Sequence, residues 1–213
     1  MARASSDSKV KFLDAALRVI RAKGYEATTL DDVCEAAGLT KGSFFHHFES
    51  KEALALAAAD HFAAMAESAF AAAPYRKAAD PLDRVLGYVD FRASLMRGEL
   101  PDFTCLLGMM VQETYETHPA IRKACDRHIN DHAKTVASDL AEAKRRHAPN
   151  APWDPQSMAL YTQAVIQGAF VLAKAKDGPE VAVECLTHLR RYLASQLTPT
   201  GPKANPKRRR THV

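Results

Sequence analysis

The chain has 213 residues, 47% of them hydrophobic, enough to bury the core of one compact unit or of two small ones. Its net charge of +4 sits in its last residues: residues 1–51 carry eight Lys/Arg against seven Asp/Glu, residues 52–198 carry 16 against 18, and the stretch from Pro199 carries five against none, so nucleic-acid binding would need placed residues and not a broad basic field. MARASSDSKVKF lacks the apolar centre of a signal peptide, and Asp60, His61 and Glu67 break the richest apolar tract, Ala53 to Ala73, so the expectation is a cytoplasmic chain with no membrane span.

The opening MARASSD is polar and expected to be mobile, with Arg3, Lys9 and Lys11 either solvated or against a nucleic-acid backbone. A first helix is predicted from about Ser8 to Lys23, where Val10, Leu13, Ala16, Leu17 and Ile20 share a face, and Gly24-Tyr25 closes it. Thr28 to Lys51, TTLDDVCEAAGLTKGSFFHHFESK, then reads as two short helices joined by a turn and followed by the start of a longer one. At Thr28-Thr29 a hydroxyl is available to a free backbone N–H, and Asp31 and Asp32 fall in the first turn, where the helix dipole favours negative charge. Leu30, Val33, Cys34 and Ala37 recur at helical spacing. Gly38 ends this helix, because the residue just past a C-terminus often needs positive φ. Leu39 plugs the motif, Thr40 caps a second helix from Lys41 to about His47, and Ser50 caps the next.

That second helix has the composition of a major-groove reader. A helix enters the groove only if little bulk separates its backbone from the DNA, and Gly42 and Ser43 leave little. Lys41 adds charge, Thr40 and Ser43 offer hydroxyls to phosphates, and Lys51 sits at a helix N-terminus suited to anions. Phe44 and Phe48 are expected in the core. The alternative is a helical hairpin that only packs.

The order T-T-L-x-D-V-C-x-A-A-G-L-T-K-G-S-F-F-H-H-F-x-S-K-E-A-L resembles the DNA-binding domain of the TetR family of bacterial transcriptional regulators, over about the first third of the chain. The resemblance implies a three-helix DNA-binding domain joined by a long fourth helix to a helical ligand-binding and dimerisation domain. In such proteins the last two helices form a four-helix bundle with a partner. It also implies that Thr40, Lys41, Ser43, Phe45, His47 and Lys51 lie at the DNA face, and Thr29 joins this set. The family usually has Tyr where this chain has Phe45, so a phenolic hydroxyl that commonly reaches a phosphate is missing.

The fourth helix, Lys51 to about Ala73, is Ala-rich and would span roughly 35 Å at its usual rise, long enough to act as a lever between two cores. Pro74 and Pro81 bracket a loop, and Asp80-Pro81 starts a helix that Gly98 stops after about Arg97. Another is predicted from about Asp102 to Glu116. His118-Pro119 opens a long one ending in Lys144-Arg145-Arg146, whose charges suit a C-terminal dipole. The last two run from about Pro155 to Lys176 and Pro179 to Leu197, with Gly168 allowing close approach by another backbone. No alternating apolar pattern survives, so the fold class is all-α with about nine helices. The expected organisation is a DNA-binding domain at 8–52, a ligand-binding and dimerisation domain at 53–198, and a disordered basic tail at 199–213.

Cys34, Cys125 and Cys185 fall on apolar stripes, whereas Cys105 lies in FTCLLGMM at the start of a short helix, a place where thiols react readily. The segment C-L-L-G-x-x-x-Q-E resembles a stretch in an electrophile- and oxidant-responsive branch of the same family, which would make Cys105 a sensing residue; simple packing is the other reading. His128 and His132 share a helix face, but no third ligand matches them, so no metal and no cofactor are expected. Catalytic motifs are absent as well, and the chain is not expected to be an enzyme. The resulting expectation is a homodimeric, ligand-responsive regulator, most readily a repressor, reading successive major grooves of a palindromic double-stranded DNA operator. Thr40, His47 and Lys51 would contact phosphates, and Lys41, Gly42, Ser43 and His46 would face bases. A small-molecule inducer would bind near Cys105, Met109, Tyr161 and Phe170. The rival is a helical ligand-binding or thiol redox protein that does not touch DNA.

Overall fold

A computed structural model describes residues 2–198, with side chains from Asp7 onward, so the 199–213 tail and the Arg3 side chain lie outside the described residues. Among the described residues the protein is all-helical, with ten α-helices, one 3₁₀ turn and no strand. In order these are α1 (Ala2–Lys23), α2 (Leu30–Ala37), α3 (Lys41–His47), α4 (Lys51–Ala72), a 3₁₀ turn (Pro74–Lys77), α5 (Pro81–Ser94), α6 (Leu100–Phe103), α7 (Leu106–Thr114), α8 (Pro119–His147), α9 (Pro155–Lys176) and α10 (Glu180–Leu197).

Two of the predicted boundaries need correction. The backbone of α1 begins at Ala2 and not near Ser8, since nothing in ARASSD breaks a helix. The single helix expected from Asp102 to Glu116 is two. Thr104 and Cys105 both adopt extended backbone, the Thr104 hydroxyl donates to the Leu100 carbonyl and ends α6, and Cys105 becomes the N-cap of α7. The split raises the count from nine to ten.

Two buried clusters hold the helices together. One joins Phe12, Ile20, Val33, Phe44 and Leu54 of α1 to α4 with Leu106 and Met110 of α7 and Ile121 and Cys125 of α8. Leu106 and Met110 have no exposed surface, and burying a side chain of that size contributes about 1.5–3 kcal/mol. The other cluster is built from α5, α8, α9 and α10, and Phe70, near the far end of α4, belongs to it. The core around the first three helices therefore continues across residue 53 into α7 and α8, and α4 is packed in one core at Leu54–Ala59 and in the other at Phe70.

Polar contacts reinforce this junction. Glu113 on α7 accepts the Glu26 N–H at 2.9 Å, and Arg21 on α1 donates to the Asp102 and Thr104 carbonyls at 3.3 and 3.4 Å. Gly24, with φ +94°, gives the chain the left-handed turn it needs there, and its missing Cβ is where the Glu113 carboxylate sits. On α9 and α10, Leu160, Tyr161, Val171, Leu172, Val183 and Tyr192 are exposed, and a Cβ at Gly168 would meet nothing within 4 Å. Among the described residues no helix is long and apolar enough to cross a membrane.

Candidate nucleic-acid interface

The hairpin α2–α3 is built by caps. Thr29 accepts the Asp32 N–H at 3.2 Å while the Asp32 carboxylate accepts the Thr29 N–H at 2.7 Å, so the capping box satisfies two free donors at once. Lys23 and the Thr29 hydroxyl hold the Asp32 carboxyl well below its usual range. At the other end Gly38 takes φ +64°, its N–H donates to Glu35 and the Leu39 N–H donates to Cys34, both at 3.0 Å, which is a Schellman ending. Thr40 then accepts the Ser43 N–H at 3.2 Å and starts α3.

The aromatic residues of α3 decide which side faces out. Phe44 is fully buried and meets the Phe12 ring edge-on at 5.6 Å, and Phe48 is 4% exposed. Helical geometry then turns Lys41, Gly42, Phe45 and His46 outward; all four are exposed, and Phe45 is 57% so. Ser43 and His47 lie at the edge of this face. The Lys41 ammonium pairs with the Asp31 carboxylate at 2.7 Å, and both side chains are more than half exposed, so solvent screens the pair and a phosphate can replace it. His47 Nε2 is 2.7 Å from the Ser8 hydroxyl, and burial first, then His46 and Lys9, push its pKa down, which favours the neutral ring.

Gly42 carries the most information. Its φ lies outside the left-handed region, and an added Cβ would come no nearer than 3.8 Å to any atom, the Thr40 hydroxyl oxygen. Glycine in a helix costs about 1 kcal/mol relative to alanine, and nothing inside the protein requires it here. The missing side chain leaves the α3 backbone open to an approach from outside.

Lys51 is turned toward the protein. Its ammonium donates to the Tyr25 and Thr28 carbonyls at 2.9 Å and to Glu26 at 3.3 Å, and it lies 4.3 Å from the Tyr25 ring centroid. In this structure all three donors serve the turn between α1 and α2, so the residue braces the domain.

Of the residues expected at an inducer site, Cys105, Met109 and Phe170 are brought together. They line a cavity of about 260 Å³ between α7 and α9, with Thr104, Gln112, Glu113, Gln167, Val171 and Lys174. Tyr161 is not part of it; it packs against Tyr192 at 5.2 Å on the exposed face of α9 and α10, about two and a half turns from Phe170. Gln112, Glu113 and Lys174 were not foreseen. Lys174 follows Phe170 by four residues, one helical turn, and that spacing alone could have found it. His128 and His132 part company: His128 Nε2 is 2.7 Å from the Asp60 carboxylate, while His132 Nε2 is 2.9 Å from the Tyr88 hydroxyl. Among the described residues no group of three or more His, Cys, Asp or Glu is placed to hold a metal ion.

A capped two-helix hairpin that presents a slim, outward-facing second helix on a three-helix scaffold defines the helix-turn-helix class. Comparison with known proteins narrows this. A family profile described as bacterial regulatory proteins of the tetR family matches residues 12–58, and one described as the tetracyclin repressor-like C-terminal domain matches residues 81–189. The chain belongs to the TetR family of transcriptional regulators.

Among curated relatives, the uncharacterized regulator YerO of Bacillus subtilis is 35% identical over 60 residues, covering 28% of this chain and 21% of its own. The transcriptional repressor KstR2 of Rhodococcus jostii is 41% identical over 49 residues, covering 23% of this chain and 24% of its own. The chain thus matches only about a fifth to a quarter of the length of these two relatives. A TetR regulator from Chloroflexus aurantiacus, known by its crystal structure, superposes with a TM-score of 0.80 at 26% identity, covering 91% of this chain and 98% of that one.

Proposed function

We propose that this chain is a homodimeric, ligand-responsive repressor whose α3 helices enter successive major grooves of a palindromic operator. The observation that carries it is the exposed face of α3, where Gly42 is glycine without internal cause and Lys41 is held only by a screened pair. Lys41, Gly42, Ser43 and His46 are the base-facing set, and Thr29, Thr40, Phe45 and His47 flank them toward the backbone. A two-fold partner is supported by the exposed apolar residues of α9 and α10 and by the open surface over Gly168. The inducer site in this reading is the α7–α9 cavity, whose walls touch the DNA-binding helices through Arg21 and Glu113. The expected setting is the cytoplasm.

Fluorescence anisotropy with DNA flanking the gene tests the proposal. Binding is expected to be sequence-selective, to weaken steeply with salt, and to fall at least tenfold in Lys41→Ala. Sequence-blind binding, or no binding, returns the hairpin to a packing role.

A second reading of the same cavity has a specific observation behind it. Cys105 lines the cavity and is part exposed, whereas Cys34 and Cys125 are buried. An electrophile entering the cavity would meet the Cys105 thiol first, which supports a covalent inducer; a Cys105→Ser chain that still releases DNA on electrophile treatment rejects it.

A further inference from the structure

We propose that the α7–α9 cavity takes a small apolar acid and that Lys174 is the counter-ion of its acidic group. This rests on the ligand-responsive reading above and names the class of ligand. The apolar wall comes from Cys105, Met109, Phe170 and Val171, which suit an aliphatic chain or a one- or two-ring body in about 260 Å³.

The one ammonium on that wall has no direct ion-pair partner among the described residues. Lys174 is half-buried, and its ammonium meets only the Met109 sulfur at 2.9 Å and the Arg21 carbonyl at 3.5 Å. Among the described residues no carboxylate lies within ion-pair distance of it or of Arg21, the second cation behind this wall. Burial pushes the Lys174 ammonium pKa down, and the Glu113 carboxylate opposes that only in part. Glu113 also faces the cavity, but its carboxylate accepts the Glu26 N–H and rests against Gly24, so it is already committed to the turn after α1. Glu113 and Asp102 act on Lys174 and Arg21 only from beyond ion-pair distance, so the Lys174 ammonium at the cavity wall has no direct anionic partner, and an acid can supply one where an amine cannot.

The position of Lys174 gives the acid a way to be felt at the DNA. The Arg21 carbonyl is one of the last of α1, where the helix dipole is negative and a cation is stabilising. Lys174 on α9 supplies that cation. A bound carboxylate draws the ammonium into the cavity and away from the end of α1, loosening the helix that carries Phe12 beneath Phe44. The ligand thus exchanges one electrostatic partner of the DNA-binding unit for itself.

Isothermal titration of the full chain with benzoate, 2-naphthoate and decanoate, their methyl esters, and 2-naphthylmethylamine tests the inference. At least one acid is expected to bind once per protomer and at least tenfold more tightly than its ester. Lys174→Met should weaken that acid about tenfold and leave the ester unchanged, while Lys174→Arg keeps the acid within a few-fold. If Lys174→Met does not fold, Lys174→Gln and the acid-to-ester ratio of the natural chain decide. The inference is overturned if no acid binds, if esters or the amine bind as well as acids, or if Lys174 variants weaken acid and ester alike. In the anisotropy assay the bound acid should release DNA from the natural chain; an acid that binds through Lys174 without changing DNA affinity rejects the exchange at α1. Failure of the unliganded chain to bind DNA rejects the repressor reading and leaves the anion site standing.

Discussion

The ammonium of Lys51 lies 4.3 Å from the centre of the Tyr25 ring and donates to the Tyr25 carbonyl at 2.9 Å, so the first residue of α4 is fastened to the turn that follows α1. Hydrogen bonds from a charged group to carbonyls, with a cation–π contact added, contribute roughly 2 kcal/mol at a part-buried site. Lys51→Met is expected to lower stability in urea by about that amount while leaving the salt dependence of DNA binding unchanged. A variant of full stability whose salt slope drops by one ion would make Lys51 a phosphate ligand after all.

Stability and DNA affinity should move in opposite directions at Gly42. Gly42→Ala should stabilise the fold by up to about 1 kcal/mol, since the new methyl group meets no protein atom closer than 3.8 Å. Gly42→Leu should fold as well but lose operator affinity more than tenfold, because its side chain stands between the α3 backbone and the groove. Denaturation and anisotropy measured side by side check this; undiminished affinity in the leucine variant would show that α3 does not approach DNA at this point.

A buried polar chain sets an acid limit. Gln163 Nε2 donates to the Tyr88 oxygen at 3.0 Å, and the Tyr88 hydroxyl is 2.9 Å from His132 Nε2, an arrangement satisfied when Tyr88 donates to a neutral imidazole. Burial, assisted by Arg92, lowers the His132 pKa to about 4. In the unfolded chain His132 binds its proton near pH 6.5, so between that pH and about 4 the unfolded state takes up a proton that the folded state refuses. Stability is therefore intact above pH 6.5 and falls as pH drops toward 4, by at most about 3 kcal/mol from this residue. Urea unfolding at pH 7 and pH 5 should show the loss, and His132→Gln should flatten it; an unchanged slope would clear His132 of the effect.

The four thiols should differ in rate toward iodoacetamide. Cys125 is fully buried and its pKa is pushed up to about 12, first by burial, and the Cys34 pKa is raised for the same first reason. Thiolate is the reactive form, so Cys105 and Cys185 should label first in the native protein and Cys125 last. Mass spectrometry of timed digests gives the order, and early labelling of Cys125 would contradict the packing around it.

Local chemistry was legible in the sequence wherever a cap makes the boundary. Thr29, Gly38, Thr40, Ser50, Asp80 and Asp154 each announce a helix end through their own side chain or backbone conformation, and the structure places each there. The break at Thr104-Cys105 escaped notice because the apolar run from Phe103 to Met110 continues across it, and only the Thr104 hydroxyl and the Cys105 sulfur mark the interruption. Tyr161 falls on the α10 side of α9 and Phe170 on the cavity side: α9 is apolar nearly all round, so periodicity alone cannot choose which stripe turns inward. What no local pattern could supply were the long-range partners. Lys174 meets the carbonyl of Arg21 across 153 residues of chain, and Lys51 spends its charge on carbonyls that have no signature in the side-chain sequence.

Because Leu106, Met110, Ile121 and Cys125 complete the apolar cluster beneath the hairpin, the reading head has no separate foundation. A gene cut after α4 would yield a fragment with a raw hydrophobic flank where α7 once lay, prone to self-association and poor at recognising any operator. Heat should accordingly dissolve head and body in one transition, and mutations deep in α7 should surface as altered promoter occupancy before they show as lost secondary structure.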